Sequence, residues 1–174
     1  RHQFYLDASN LYLMYYTGAG TNFTVYDSVN WNTTDWFHVV GTVEQSGSLV
    51  TVKIYLDGSL LVSSTGNYGA NALSGYTTTL DYVIGKRHRP GGSEIPFDGL
   101  VDEFAIIPSA LSSSDVTSIY NSGVPADISS FSPVGWWRMG DDDSGSGTTI
   151  TDQGSGGNDG TLTNGPTFST DVPS

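Results

Sequence analysis

Apolar and polar residues alternate along much of the first half of the chain. Between residues 49 and 57, Val50, Val52 and Ile54 are separated by polar or amphipathic neighbours. Side chains of a β-strand point alternately to opposite faces, so this period of two predicts a strand with one buried face. Strand patterns also occur at residues 3–6, 11–16, 22–26, 35–44, 60–63, 79–85, 97–106 and 134–140. Short polar loops that contain glycine separate several of them, which favours antiparallel hairpins.

The segment 97–106, with the sequence FDGLVDEFAI, places two carboxylates inside an apolar strand pattern. Asp102 shares a face with Leu100 and Phe104, whereas Glu103 points to the other face. A carboxylate on a buried face is costly unless it is paired, hydrogen-bonded or bound to a metal. The pattern therefore predicts partners for both acids.

One short helix is predicted among the strands. Ser112 and Asp115, three residues apart, form a capping-box pattern, and apolar residues follow with helical spacing at 116–120. Gly123 is predicted to end the helix. A single helix after many strands indicates an all-β sandwich with a helical appendage.

Composition narrows the range of partners. The chain has 174 residues, 18 of them acidic and 6 basic, with a net charge of -12. Such a chain repels DNA, RNA and anionic lipid, so we expect neither nucleic-acid binding nor membrane insertion. There is no cysteine, which excludes disulfides and thiolate metal sites.

Several motifs together resemble the laminin-G-like domains of the concanavalin A-like superfamily. In chain order they are DWFHVVGTV, KIYLDGSLL, VIG, FDGLVDEFAI, ALS and DVTSIYNSG, between about residues 35 and 123. The resemblance implies a two-sheet antiparallel jelly-roll sandwich, in agreement with the strand pattern.

The resemblance also suggests how the chain is divided. Residues 1–123 are expected to form the laminin-G-like sandwich, although its usual opening strands are not found, and residues 124–133 a linker. Residues 134–174 contain VGWWRMGD and a turn GGNDG, which look like the opening of such a domain. The chain is then either a slice of a tandem array, the favoured interpretation, or a sandwich whose tail completes it in permuted order.

Catalysis is not expected. Glucanases of this superfamily use carboxylates that alternate on one strand, and retaining chemistry needs two carboxyl groups about 5 Å apart. The chain has no such run and no Gly-x-Ser-x-Gly nucleophile motif. We therefore expect a non-catalytic recognition module that binds glycans and belongs to a secreted, cell-surface or phage virion structural protein. The alternatives are a purely structural unit that contacts its own copies or neighbouring repeats, and, less favoured, a glycoside hydrolase.

Calcium is the cofactor that the resemblance suggests. Hard cations take carboxylate, amide and carbonyl oxygens. Asp102 is the first candidate ligand, with Asp98, Asp152 and Asn158 as others. The alternative for Asp102 is a carboxylate that accepts backbone N–H bonds or pairs with a basic residue, which needs no metal.

Aromatic and basic loop residues are the glycan-binding candidates. Sugars stack on exposed aromatic faces, which points to Trp31, Tyr68 and Tyr76, and the basic loop KRHRPGG contributes Arg87 and Arg89 for acidic sugar groups. The alternatives are packing for each aromatic ring and a solvated hairpin loop for the arginines.

Overall fold

Fifteen short elements make up the described part of the protein. A computed structural model describes residues 2–6, 9–16, 22–30, 34–70, 72–73, 82–87, 95–141 and 143–174. The strands are β1 (His2–Leu6), β2 (Asn10–Tyr16), β3 (Asn22–Ser28), β4 (Val39–Ser46), β5 (Leu49–Leu56), β6 (Ser59–Asn67), β7 (Lys86–Arg87), β8 (Ile95–Pro96), β9 (Phe104–Ile106), β10 (Gly135–Trp137), β11 (Thr149–Ile150) and β12 (Gly160–Thr161). The helix α1 spans Ser113–Tyr120, and 3-10 turns span Asn121–Gly123 and Ser129–Phe131.

Two three-stranded antiparallel sheets form the body, in the orders β1-β2-β3 and β4-β5-β6. One face of each sheet contributes to a shared core, which contains Leu11, Leu13, Val25, Val50, Val52, Ile54 and Ala72. Val50, Val52 and Ile54 are completely buried, as the alternating pattern of β5 predicts. The mostly antiparallel architecture with one short helix confirms the all-β sandwich.

β5 buries both of its faces at one point. The pairing of β5 with β6 shifts between Ile54 and Tyr55, and both residues have no exposed surface. Ile54 lies in the core between the sheets, while the hydroxyl of Tyr55 lies 3.2 Å from Ser113 Oγ on α1. The helix therefore covers the outer side of β5.

The tail pairs with β9, in a two-stranded sheet separate from the two sheets of the body. β10 runs antiparallel to β9, with Trp136 opposite Ala105 and Trp137 opposite Phe104. The ring centroids of Phe104 and Trp137 lie 5.8 Å apart. The β9–β10 pair therefore joins the tail to the strand that precedes α1.

The strand predicted at residues 97–106 is mostly wrong, because only Phe104–Ile106 forms a strand. Glu103 has φ of 49°, which interrupts an extended backbone immediately before β9. Leu100 is 43% exposed, so it does not occupy the buried face that the alternation assigned to it. Alternation predicts a face only while the backbone stays extended.

Other predicted boundaries also need correction. Residues 35–38 precede β4 rather than belonging to it, and residues 82–85 are irregular. The capping box of Ser112 and Asp115 is confirmed, but the helix ends at Asn121, which adopts the left-handed conformation with φ of 45°. Asparagine tolerates this conformation, so it replaces the predicted Gly123 as the point where the helix stops.

The core predicts a large cost for truncating Ile54. We expect Ile54→Ala to lower the free energy of unfolding by about 2–5 kcal/mol, because it leaves a cavity between the sheets. Leu60→Ala is the control, since Leu60 is 51% exposed, and it should change stability by less than about 0.5 kcal/mol. Urea denaturation measures both, and equal losses would contradict the assigned core.

Candidate functional site

A polar cleft lies where the β5–β6 turn meets the C-terminal end of α1. It has a volume of about 460 Å³ and is lined by residues 57–59, Thr117, Ser118 and residues 120–122. We call it the helix-end cleft. The space is largely open to solvent, and its lining is more polar than apolar.

The turn that forms one wall has a fixed backbone conformation. Asp57 and Gly58 both have positive φ, 49° and 75°, which matches a tight type I′ hairpin turn. A Cβ at Gly58 would lie 2.8 Å from Cδ1 of Tyr120. Glycine is therefore required both for the turn and for the close approach of the helix.

The backbone of His38 forms hydrogen bonds with Asp57. The backbone N–H of His38 donates to Asp57 Oδ1 at 2.9 Å, and the Asp57 N–H donates to the His38 carbonyl at 2.8 Å. Asp57 Oδ2 has no hydrogen-bond partner among the described residues. One carboxylate oxygen is thus fixed, and the other belongs to a residue that lines the cleft.

The His38 imidazole supports the opposite wall. Its ring stacks on that of Tyr120, with centroids 5.7 Å apart. Burial lowers the pKa of His38, and the nearby charge of Asp57 only partly opposes this shift. Its Nδ1 is buried without a hydrogen-bond partner among the described residues. The neutral imidazole is consequently the favoured form in the folded protein.

The helix end supplies hydroxyl and amide groups. Thr117 Oγ1 lies 3.0 Å from the carbonyl oxygens of both Gly58 and Ser113, and joins the turn to α1. Ser118 and Ser122 are exposed, and the amide of Asn121 donates to the Val124 carbonyl at 3.3 Å, which leaves its oxygen for a ligand. The cleft therefore combines hydroxyl, amide and carboxylate groups beside one aromatic ring.

The sequence reasoning missed this cleft. The motif KIYLDGSLL contains the Asp-Gly pair and a separate pattern predicts the helix, but their meeting depends on the packing of α1 against β6 and the outer side of β5. A sequence signal did exist, since SIYNS at residues 118–122 places four polar or aromatic groups at the end of a predicted helix.

A second aromatic surface was also missed. Tyr5, Tyr12 and Tyr26 lie opposite one another on adjacent strands, on the face of the β1–β3 sheet away from the core. Their rings stack, with centroids 4.6 Å apart for the first pair and 5.1 Å for the second. The ring faces pack against each other, and Tyr26 at one end of the row is 57% exposed.

The predicted glycan-binding residues are only partly described. Trp31, Tyr76 and Arg89 lie outside the described residues, and of Arg87 only the backbone position in β7 is described. Tyr68 packs beside the core, and its ring centroid lies 5.1 Å from that of Phe23. None of the described residues in this set lines the helix-end cleft.

The two acids of the sequence VDEF are in different environments. Asp102 accepts the Glu103 N–H at 2.9 Å, and burial raises the pKa of Asp102 above its usual range. Glu103 accepts the indole N–H of Trp136 at 2.7 Å and pairs with Arg138 at 2.9 Å. Arg138 also pairs with Asp141 at 2.8 Å. Glu103 is therefore a partnered residue that joins the tail to the segment just before β9.

Asp152 is the most fully hydrogen-bonded of the predicted metal ligands. It is 7% exposed, and its carboxylate accepts backbone N–H groups of Trp136, Gly154 and Asn158 at 2.8–2.9 Å. Burial opposes ionisation, but these three hydrogen bonds outweigh it and lower the pKa of Asp152. The Asn158 carbonyl accepts the indole N–H of Trp137 at 2.9 Å.

The predicted ligands do not form one cation site. Asp152 and Asn158 are joined by a hydrogen bond, whereas Asp98 lies exposed in the segment before β9. Within the described ranges, no three His, Cys, Asp or Glu side chains are grouped to hold a metal ion. The groups around Asp152 are N–H donors. They stabilise its negative carboxylate and would repel an added cation. Calcium binding stays a prediction.

Comparison with known families agrees with the sandwich. Residues 1–117, more than half of the chain, match a laminin-G family model described as the concanavalin A-like lectin/glucanases superfamily. The chain therefore belongs to this superfamily. No curated protein matches the sequence significantly.

A solved structure resembles the chain weakly. It is residues 221–444 of an S-layer domain-containing protein from Clostridium thermocellum, 19% identical, with a TM-score of 0.40. The match covers 68% of this chain and 63% of that one. Separately, no helix in the described segments is long and apolar enough to span a membrane.

The contacts of Asp152 predict a pH-dependent loss on mutation. Asp152→Asn leaves one oxygen where two accepted three N–H groups, so we expect the free energy of unfolding to fall by about 1–3 kcal/mol at neutral pH. Because the pKa of Asp152 is lowered in the fold, the ionised carboxylate contributes stability above its unfolded pKa, about 3.9. That contribution is lost as the pH falls through the folded pKa.

Denaturation at neutral pH and at about pH 3 provides the measurement. The difference between wild type and Asp152→Asn should shrink in acid. The exposed Asp98→Asn variant is the control and should match wild type at neutral pH. A loss for Asp152→Asn that is equally large in acid would contradict the charge-based explanation.

Proposed function

We propose that the protein is a non-catalytic recognition module that binds a glycan in the helix-end cleft. The observation that carries this proposal is the composition of the cleft wall. A carboxylate, an amide, several hydroxyl groups and an aromatic ring converge on a space of about 460 Å³. Family membership alone does not fix the function, because one fold supports many sites.

The polar groups match the chemistry of a sugar. A pyranose presents adjacent hydroxyl groups that donate and accept hydrogen bonds. Asp57 Oδ2 and the Asn121 side-chain oxygen are acceptors, while Ser118 and Ser122 donate as well as accept. Because the Asp57–Gly58 turn and α1 are held together by backbone and side-chain contacts, these groups are positioned before a ligand arrives.

The same wall supports binding rather than hydrolysis. Glycoside hydrolysis usually requires two carboxyl groups on either side of the bond that breaks. Asp57 is the one carboxylate among the residues that line the cleft. Sugar recognition needs no second acid, so the proposal assigns no catalytic residue.

We propose that the protein that contains this module lies outside the cell, on a cell surface or on a virion surface. Support comes from the composition, since 22 of 174 residues are glycine and only 14% are charged. This composition is typical of turn-rich β-proteins.

Blocking the cleft tests the proposal. Wild-type protein should bind at least one neutral or cationic glycan on an array. The array is run with and without a chelator, and a loss of binding in the chelator would support the calcium prediction. Ser118→Trp fills the cleft from an exposed helix position and should weaken that binding at least about tenfold, about 1.4 kcal/mol. Ser130→Trp adds the same bulk to the exposed Ser130, outside the cleft, and should bind as wild type.

Two results would contradict the proposal. The absence of binding at any calcium concentration would remove the glycan function. Unchanged affinity in Ser118→Trp would retain glycan binding but move it away from this cleft.

A second candidate function is self-assembly, favoured by a group of exposed apolar side chains. Tyr82, Val83, Ile84, Ile95, Phe97, Leu100 and Val101 are each at least 37% exposed. The Phe97 N–H donates to the Gly85 carbonyl at 2.8 Å, which brings the two stretches together. Large exposed apolar surfaces commonly mark protein interfaces.

Association should then depend on this surface. We expect wild-type protein to form dimers or larger species at micromolar to millimolar concentration, as measured by native mass spectrometry or light scattering. Phe97→Asp should shift the population to monomer, because it places a charge in an apolar contact. Tyr26→Asp, exposed on a different sheet, is the control, and a strictly monomeric wild type would count against assembly.

A further inference from the structure

The helix-end cleft has a negative potential from two independent sources. Asp57 is the one charged side chain in its wall. The carbonyl end of α1 also faces this region, and the last turn of α1 contains no basic residue. The C-terminal end of a helix carries a partial negative charge, so both features favour a cation.

Neighbouring groups do not cancel this potential. Burial lowers the pKa of His38, which lies behind Asp57, and therefore favours its neutral form. Of the described basic side chains, Arg138 pairs with Glu103 and Asp141, far along the chain in the tail. Neither Lys53 nor Lys86 lines the cleft.

The free oxygen of Asp57 gives the cation a defined place. Asp57 Oδ1 accepts the His38 N–H, which fixes the carboxylate and leaves Oδ2 to accept from a ligand. The hydroxyl and amide groups of Ser118 and Asn121 border the same space. A ligand that carries both an ammonium group and adjacent hydroxyl groups could bond to the carboxylate, the hydroxyl groups and the amide of this wall.

We propose that the helix-end cleft selects a sugar with a free amine, a protonated hexosamine, over neutral and acidic sugars. This inference depends on the proposed glycan function and specifies its ligand. The ammonium group binds Asp57 Oδ2 near the end of α1, and ring hydroxyls bind the serine and asparagine groups. An N-acetylated sugar has the same ring but no charge, and a uronic acid is repelled by a chain of net charge -12.

A matched pair of sugars tests the inference. The glucosamine disaccharide and the N-acetylglucosamine disaccharide share one backbone and differ in the amine. Binding is measured by calorimetry or NMR titration at near-neutral pH and low ionic strength, with a chelator present. We expect about three- to tenfold tighter binding of the free amine, since each exposed charge contribution is modest. The preference should weaken at about 0.5 M salt.

Asp57→Asn is the decisive variant. Asparagine keeps the oxygen that accepts the His38 N–H and tolerates positive φ, so the turn is retained. We expect this variant to lose the preference, so that it binds both disaccharides with equal affinity, because the charge that distinguishes them is gone. Glu44→Gln removes the same charge from an exposed position on β4 outside the cleft, and should keep the preference.

The outcomes separate the inference from the function on which it depends. Binding of the N-acetylated sugar with no preference for the amine overturns the inference but not glycan recognition. Equal loss of preference in Asp57→Asn and Glu44→Gln assigns the effect to general charge attraction and also overturns it. Equally tight binding of lysine amide would show that the cleft recognises the ammonium group alone, which contradicts a sugar site. No binding of either disaccharide, or of any array glycan, removes both proposals.

Discussion

The contact between the two sheets determines where everything else in the body lies. Val50, Val52 and Ile54 on β5 have no exposed surface and face Leu11, Leu13 and Val25 from the other sheet. A register shift by one residue would move every one of these side chains to the opposite face, so the core fixes the register of β5. It thereby fixes the position of the turn that follows, where Asp57 and Gly58 begin the wall of the cleft.

The helix position follows from the same strand. Tyr55, the next residue after Ile54, points to the outer side of β5 and is buried there, with its hydroxyl beside Ser113 of α1. Thr117 and Tyr120 then contact Gly58, so the helix end and the turn face each other across a short gap. The cleft is a consequence of core packing, the burial of Tyr55 beneath α1 and the glycine at position 58, and the hydroxyl of Thr117 adds a hydrogen bond that joins the turn to α1.

The sequence predicted local features well and non-local ones poorly. The alternation in β5 and the capping box of Ser112 and Asp115 depend on neighbours in sequence, and both are confirmed. Glu103 was placed on a regular strand, but its contacts with Trp136 and Arg138 come from 33 and 35 residues away. The cleft likewise joins residues 57–59 to residues 117–122, a meeting that no periodicity encodes.

The acids of this chain also show why charge type alone does not identify a site. Asp152 is buried and ionised because three backbone N–H groups surround it, and Glu103 is held by an indole and a guanidinium. The carboxylates of Asp152 and Glu103 are therefore already occupied by hydrogen bonds and ion pairs within the fold. Asp57 differs because one oxygen is held by His38 and the other has no described partner. A carboxylate with one oxygen held and the other without a described partner retains the capacity to bind a ligand, and Asp57 is the acid of this kind that lines the cleft.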